Sequence, residues 1–127
     1  MNEIELACFK IISNVGMARS SYIEAISKAK DGKFDMAEEC IKDGQEYFSK
    51  GHKGHAELIE KEAVGESVVC SLLLVHAEDQ LMSAENFKII ANEMIDNYKR
   101  IIALEEKLKW CKYFLRDRKD GSVYVNV

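Results

Sequence analysis

One histidine and three other polar residues lie at helical spacing within an apolar stretch of the chain. Asp79, Gln80 and Ser83 follow His76 by three, four and seven positions, so the four side chains share one face of a helix. Near neutral pH an imidazole is largely unprotonated and nucleophilic, and the P–N bond that it forms with a phosphoryl group is easily broken again. These residues therefore suggest a phosphoryl relay through His76.

The same residues also allow a structural interpretation. A polar patch in an apolar seam costs on the order of several kcal/mol unless its groups are hydrogen-bonded. His76 would then be a core histidine bonded to Asp79 or to a backbone carbonyl. For a lone histidine on an apolar face, the residues alone favour this second interpretation.

The remaining histidines and the cysteines indicate packing more than chemistry. His52 and His55 are three positions apart and so able to bind a metal together, but His52 lies near an apolar stripe, which favours a structural role. No histidine has a glutamate three positions before it, so the di-iron pattern of helical bundles is absent from the sequence. The four cysteines form no Cys-x-x-Cys pair and are expected to be reduced core thiols: Cys8, Cys40, Cys70 and Cys111.

The composition is typical of one globular domain. The 127 residues are 47% hydrophobic and 31% charged, and the net charge of -4 gives no attraction for nucleic acid or an anionic membrane. The acidic start lacks the pattern of a signal peptide, and the apolar stretch at about residues 68–77 is about half the length that spans a bilayer. We expect a cytoplasmic protein without direct membrane insertion.

Two long helices are predicted before the histidine. The chain contains no proline, and apolar residues of the first helix recur at alternating steps of four and three: Ile4, Cys8, Ile11, Val15, Ala18, Tyr22, Ala25 and Ala29. Asp31-Gly32 ends this helix. The second helix is predicted from near Asp35, with Glu38 completing a variant capping box, to about Ala63. Glycines at 44, 51 and 54 predict a close helix approach or a kink.

A third helix is predicted from about Val68, capped by Ser67, past Leu108 and as far as Leu115. Its first part, residues 68–75, is apolar on nearly every side and therefore requires cover from other subunits. The basic run at 107–119 is expected to be a solvated helix face. Alternating valines at 123, 125 and 127 indicate a strand-like tail. We predict one three-helix domain at 1–116 and a tail of unknown role at 117–127.

Four segments in order resemble a known family. LLVHAEDQLM at 73–82 is similar to the HAQDHLM signature of the enzyme IIA components for lactose, cellobiose and chitobiose in the bacterial phosphotransferase system. GMARS at 16–20 resembles the first-helix glycine and arginine segment of the family, and KDGKFD at 30–35 resembles its first turn. His52 and ELIEKEAVG at 57–65 resemble its AHxxQTxLIQxEAxG segment.

The resemblance implies an all-α fold of three long antiparallel helices that trimerises into a nine-helix bundle. It implies that His76 accepts phosphate from the histidine phosphocarrier protein and donates it to a cysteine of enzyme IIB, which serves disaccharide uptake. It further implies that Asp79 from each of three subunits meets a divalent metal ion, with Mg²⁺ expected, on the trimer axis. Such an ion would neutralise carboxylates that are costly to bury unpaired.

The sequence departs from the family pattern at three places. Gln80 replaces the second histidine of the signature and becomes a candidate phosphoryl contact with a neutral amide. Glu78 replaces a glutamine and, about 200° around the helix from His76, is expected to face solvent or a partner. The chain also continues past Lys107, near which the family pattern ends.

Two alternatives to the phosphoryl carrier are open. One is a regulatory helical oligomer on the same fold, which Gln80 and the extra C-terminal residues make conceivable. The other is a phosphotransfer domain of two-component signalling, which is disfavoured because AEDQ at 77–80 lacks the lysine and glycine typical of such domains. The sequence does not identify the sugar.

Overall fold

The computed structural model describes residues 1–118, which form three long helices. They are α1 (Glu3–Lys30), α2 (Phe34–Ala63) and α3 (Leu72–Asp117). Side-chain pairs between Glu3 and Lys61 and between Glu38 and Lys99 show that neighbouring helices in the chain are antiparallel. Within residues 1–118 there is no strand, so the predicted all-α class is confirmed. The predicted strand-like tail lies outside the described residues.

The α1 helix supplies the centre of the core. Asn2 and Glu5 form a reciprocal capping box at its start, which satisfies two backbone N–H groups. Seven of the eight predicted seam residues are buried: Cys8, Ile11, Val15, Ala18, Tyr22, Ala25 and Ala29. The eighth, Ile4, packs half-buried against them. Gly32 ends the turn after α1 with a φ of 76°, which a glycine adopts without strain.

Close approach, rather than a break, explains the glycines of α2. A Cβ atom on Gly44 would clash with the ring of Tyr22, and one on Gly51 would lie 2.7 Å from Val15 Cγ1. The predicted close helix approach is therefore confirmed. The predicted capping box at Asp35 and Glu38 is wrong: α2 begins one residue earlier, with Lys33 at the N-cap and no side-chain cap.

The start of α3 also differs from the prediction. The helix begins at Leu72 because Ser71, rather than Ser67, is its N-cap and accepts a hydrogen bond from the Leu74 backbone N–H at 3.2 Å. Residues 66–71 lie outside any helix. Two adjacent β-branched residues, Val68 and Val69, are stiff at χ1 and favour extended backbone over helix. The apolar run is therefore divided between a connection and the first turn of α3.

The α3 helix is much longer than its partners. It has 46 residues, against 28 in α1 and 30 in α2. Ile102 packs at the turn between α1 and α2, where a Cβ on Gly32 would lie 3.4 Å from its Cδ1 atom. Every residue from 103 to 117 is exposed, which agrees with the predicted solvated face at 107–119 as far as residue 117, whereas Arg118 is half-buried and residue 119 lies outside the described residues. None of the helices in the described part of the chain is long and apolar enough to cross a membrane.

All four cysteines were predicted to pack in the core, but only two of them do so. Cys8 is buried and Cys40 is half-buried, and burial raises the pKa of both thiols above the ordinary value. Cys70 and Cys111 are exposed, so the prediction is wrong for these two. Cys70 lies in the connection before α3, and Cys111 lies beyond the end of the three-helix core.

Candidate functional site

His76 lies in the second turn of α3, and its side chain is exposed. Among residues 1–118 no side chain or backbone group forms a hydrogen bond with its ring. In a single chain it is therefore neither a buried histidine nor one bonded to Asp79 or to a carbonyl. An exposed imidazole on a helix can be reached by a group from outside the subunit. A residue that contacts two partners in turn must be accessible in this way.

Exposed apolar side chains lie on α3 within six residues of this histidine. Leu72 is 86% exposed, Val75 is 51% exposed and Met82 is 64% exposed. Large exposed apolar surfaces of this kind commonly mark protein contacts. The sequence analysis inferred that other subunits cover this part of α3, and the exposure of these side chains shows that no other helix of the same chain does so.

Gln80 is held by an arginine from α1. The Arg19 guanidinium donates to Gln80 Oε1 at 3.4 Å, and both side chains are half-buried. With its oxygen so occupied, the amide of Gln80 presents its N–H groups to other acceptors. Because Gln80 is one helical turn after His76, the contact brings a permanent positive charge to the same region of α3. Arg19 was not among the predicted site residues, although it belongs to the GMARS segment that resembles the family.

Asp79 is exposed on the same face of α3 as His76. No ion pair or hydrogen bond engages its carboxylate within the described range of 1–118. Both oxygens are therefore available to a ligand or to another subunit. Ser83, the last member of the polar stripe, is half-buried.

Glu78 takes a position that the sequence analysis did not predict. It was expected to face solvent or a partner, but its carboxylate lies 2.8 Å from His55 Nδ1 on α2. The reason is the packing direction of the helices: the side of α3 opposite His76 contacts α2. The Glu78–His55 pair ties the two helices together at the same level of α3 as His76, on the other side of the helix.

His52 and His55 share an aromatic contact and not a recognisable metal site. Their ring centroids are 5.8 Å apart, and His52 also contacts Phe48 at 6.0 Å. Over residues 1–118 no group of three histidine, cysteine, aspartate or glutamate side chains is arranged to hold a metal ion. A metal site at Asp79 would therefore require residues from more than one chain.

Comparison with known proteins assigns the family. Residues 6–99 match the sequence profile of the family described as "PTS system, Lactose/Cellobiose specific IIA subunit". The lichenan-specific phosphotransferase enzyme IIA component of Bacillus subtilis is 43% identical over 99 residues, which cover 78% of this chain and 90% of that protein.

Solved structures of similar proteins share the fold. The crystal structure of the PTS cellobiose-specific enzyme IIA from Bacillus anthracis is 42% identical, with a TM-score of 0.79 over 81% of this chain and 94% of that one. The IIA(Chitobiose)–HPr complex of the Escherichia coli phosphotransferase system contains a chain that is 29% identical, with a TM-score of 0.69 over 80% and 98% of the two chains. The three-helix chain described here belongs to the lactose/cellobiose-specific IIA subunits of the phosphotransferase system.

Proposed function

We propose that His76 carries a phosphoryl group from the phosphocarrier protein HPr to a cysteine of an enzyme IIB component. The observation that carries this proposal is the exposed, unbonded imidazole of His76 on α3, within the segment that resembles the family signature. The complex between a similar chitobiose IIA component and HPr supports the donor. Membership in the family supports an acceptor of the IIB type and a lactose- or cellobiose-like sugar.

The transfer consists of two in-line displacements. A ring nitrogen of His76 attacks the phosphorus carried by the donor histidine, so that one P–N bond forms as the other breaks. The acceptor thiolate then attacks the same phosphorus, and the bond to His76 breaks. Because the transition state of phosphoryl transfer is loose, positioning and electrostatics provide most of the catalysis.

Gln80 and Arg19 would stabilise the negative oxygens of the transferring group. The contact between them fixes the Gln80 amide and leaves its N–H groups free to donate, one turn from His76. The guanidinium adds a positive charge that does not titrate near neutral pH. In this arrangement a neutral amide supported by a cation takes the place of the second histidine of the family signature.

Three chains would complete the site at Asp79. An exposed carboxylate free of partners within the described chain fits a site shared by symmetric copies, since oxygen donors are the ligands that Mg²⁺ prefers. Two unit charges about 4 Å apart repel by about 4 kcal/mol at an effective dielectric near 20, so three such carboxylates require a cation or a proton. A bound ion would neutralise this charge. We place the resulting homotrimer in the cytoplasm.

A labelling experiment tests the carrier function. The protein is incubated with phosphoenolpyruvate, the general donor enzyme and HPr, and histidine-bound phosphate is measured. His76→Ala is expected to abolish labelling, whereas His52→Ala and His55→Ala leave it in place. Acid-labile phosphate on the His76→Ala protein would contradict the assignment, and an unlabelled parent protein would favour the regulatory oligomer.

A further inference from the structure

The last part of α3 projects from the three-helix core. Its 15 helical residues after Ile102 extend about 22 Å at 1.5 Å per residue. All 15 are exposed, and the family profile matches only residues 6–99, so this extension lies outside the shared fold. Three leucines of the extension, Leu104, Leu108 and Leu115, are 59–68% exposed, and exposed apolar side chains of this kind commonly mark a protein contact.

The apolar residues of the extension follow a coiled-coil pattern. Alternating steps of three and four connect five exposed seam residues, of which four are large hydrophobic residues and one is a cysteine: Ile101, Leu104, Leu108, Cys111 and Leu115. These are heptad positions a, d, a, d and a. The seam is a narrow stripe, as expected for helix pairing, and not the wide apolar arc of a helix that packs against a globular core.

The aromatic residues of the extension lie apart from the seam. Trp110 stacks on Phe114 with ring centroids 5.1 Å apart, and the Arg118 guanidinium lies 4.0 Å from the centre of the Phe114 ring. By helical spacing, Lys107 and Arg118 stand between this aromatic ridge and the seam. The two cations divide the apolar surface, which disfavours a helix lying flat in a lipid surface because that binding mode uses one broad apolar face.

The seam continues along α3 towards the candidate site. Asp79, Asn86, Ile90 and Asn97 are exposed and lie, at steps of seven, four and seven, on the side of α3 that carries Ile101 and Leu104. One face of the helix is therefore left uncovered by α1 and α2 from the region of His76 to the end of the extension. If the α3 helices of several copies met on this face near Asp79, their C-terminal extensions would run side by side in the same direction.

We propose that the α3 extensions of three copies of this chain form a parallel coiled coil with the seam at its centre. The proposal rests on the homotrimer of the proposed function, because the carboxylates of Asp79 and the seam lie on the same face. Charge at the flanks supports the parallel register: Arg100 at a g position would face Glu105 at the following e position of a neighbour. The coil would hold the trimer together independently of any metal at Asp79.

Cys111 provides a direct test, because a d position places its copies close together at the coil axis. In a Cys70→Ser background, the remaining exposed cysteine within the described residues is Cys111. Mild oxidation with copper phenanthroline is expected to cross-link about two-thirds of the chains at most, since a disulfide joins two of the three thiols in each trimer. The matched control carries Cys111→Ser and Tyr113→Cys, which moves the thiol to the outer face of the helix. Equal cross-linking of the two proteins, or none at Cys111, would overturn the proposal.

A second pair of variants tests the energetics of the full chain. Leu108→Asp in the seam is expected to raise the concentration for half-dissociation of the trimer about tenfold or more, whereas Tyr113→Asp on the outer face leaves it nearly unchanged. Both variants should still accept phosphate at His76, so failure of the coil is distinguishable from failure of the carrier function. Equal dissociation of both variants would contradict the coil. A second contradictory outcome is that the parent binds phosphatidylglycerol vesicles and that Leu108→Asp abolishes this binding without changing the assembly.

Discussion

The first and third helices use the same spacing of apolar residues for opposite purposes. In α1 the three-four pattern from Cys8 to Ala29 is buried by α2 and α3. In α3 the face that contains Ile90, Leu104 and Leu108 is exposed along its length. Periodicity therefore indicates that a helix has a partner on one face. Whether that partner is in the same chain or another is decided by how many helices the chain provides.

The largest expected effect comes from shortening a side chain on the buried face of α1, and the same change on the exposed face of α3 is the comparison. Ile11 is fully buried in α1, so Ile11→Ala should lower the free energy of unfolding by about 2–5 kcal/mol. Ile90 is 50% exposed, so Ile90→Ala should cost less than about 1 kcal/mol within a subunit and should weaken assembly instead. Urea unfolding and sedimentation measure the two effects. An equally large loss from Ile90→Ala in a monomeric protein would show that the two faces do not differ.

A smaller effect is expected when the exposed face is made apolar at the candidate metal position. In the proposed trimer, Asp79→Leu replaces carboxylate repulsion by packing, so the assembly should persist and melt higher than the parent in chelator, by on the order of 5 °C. His76 should still accept phosphate. Thermal melts with and without chelator, together with sedimentation, provide the measurement. A monomeric or less stable variant would argue that Asp79 supports the fold of one subunit.

The smallest expected effect concerns an ion pair at the edge of the buried face. The hydrogen bond and charge of Lys61 lower the pKa of Glu3 below its ordinary value. A lowered pKa means that the pair stabilises the fold above the unfolded-state value, and that this contribution is lost as pH falls through the folded-state value. Glu3→Gln should therefore flatten the acid side of the stability profile slightly, with no change near neutral pH that exceeds ordinary surface effects. Melting curves from pH 3 to 7 measure this effect, with Glu46→Gln as a control at a carboxylate that forms no ion pair within residues 1–118. A steeper acid profile in Glu3→Gln than in the parent would contradict the prediction.

Local rules were sufficient for most of the fold. The α1 seam, the end of α1 at Asp31-Gly32 and the close approach at Gly44 follow from spacing and from side-chain size. The start of α3 was misplaced because Ser67 and Ser71 are both acceptable caps, and only the conformation of the two valines between them distinguishes the positions. Two β-branched residues lower helix propensity only slightly, which is too weak a signal to fix a helix boundary from sequence.

The candidate site was predicted only in part, because its supporting contacts join distant segments. His76, Asp79 and Gln80 are close in sequence and their shared face follows from helical geometry. The contact between Arg19 and Gln80 spans 61 residues, and the pair of His55 with Glu78 spans 23. Each depends on how one helix is rotated against another, which the pattern of a single helix does not fix.

The unbroken length of α3 separates two parts of the molecule. From His76 to Asp117 the helix rises about 60 Å, so one end carries the proposed phosphoryl acceptor while the other stands beyond the three-helix core. A fluorophore, an affinity label or a fused domain joined after Asp117 would hang well clear of a protein docked at His76. The length of α3 therefore separates whatever is attached at its far end from any protein that contacts His76.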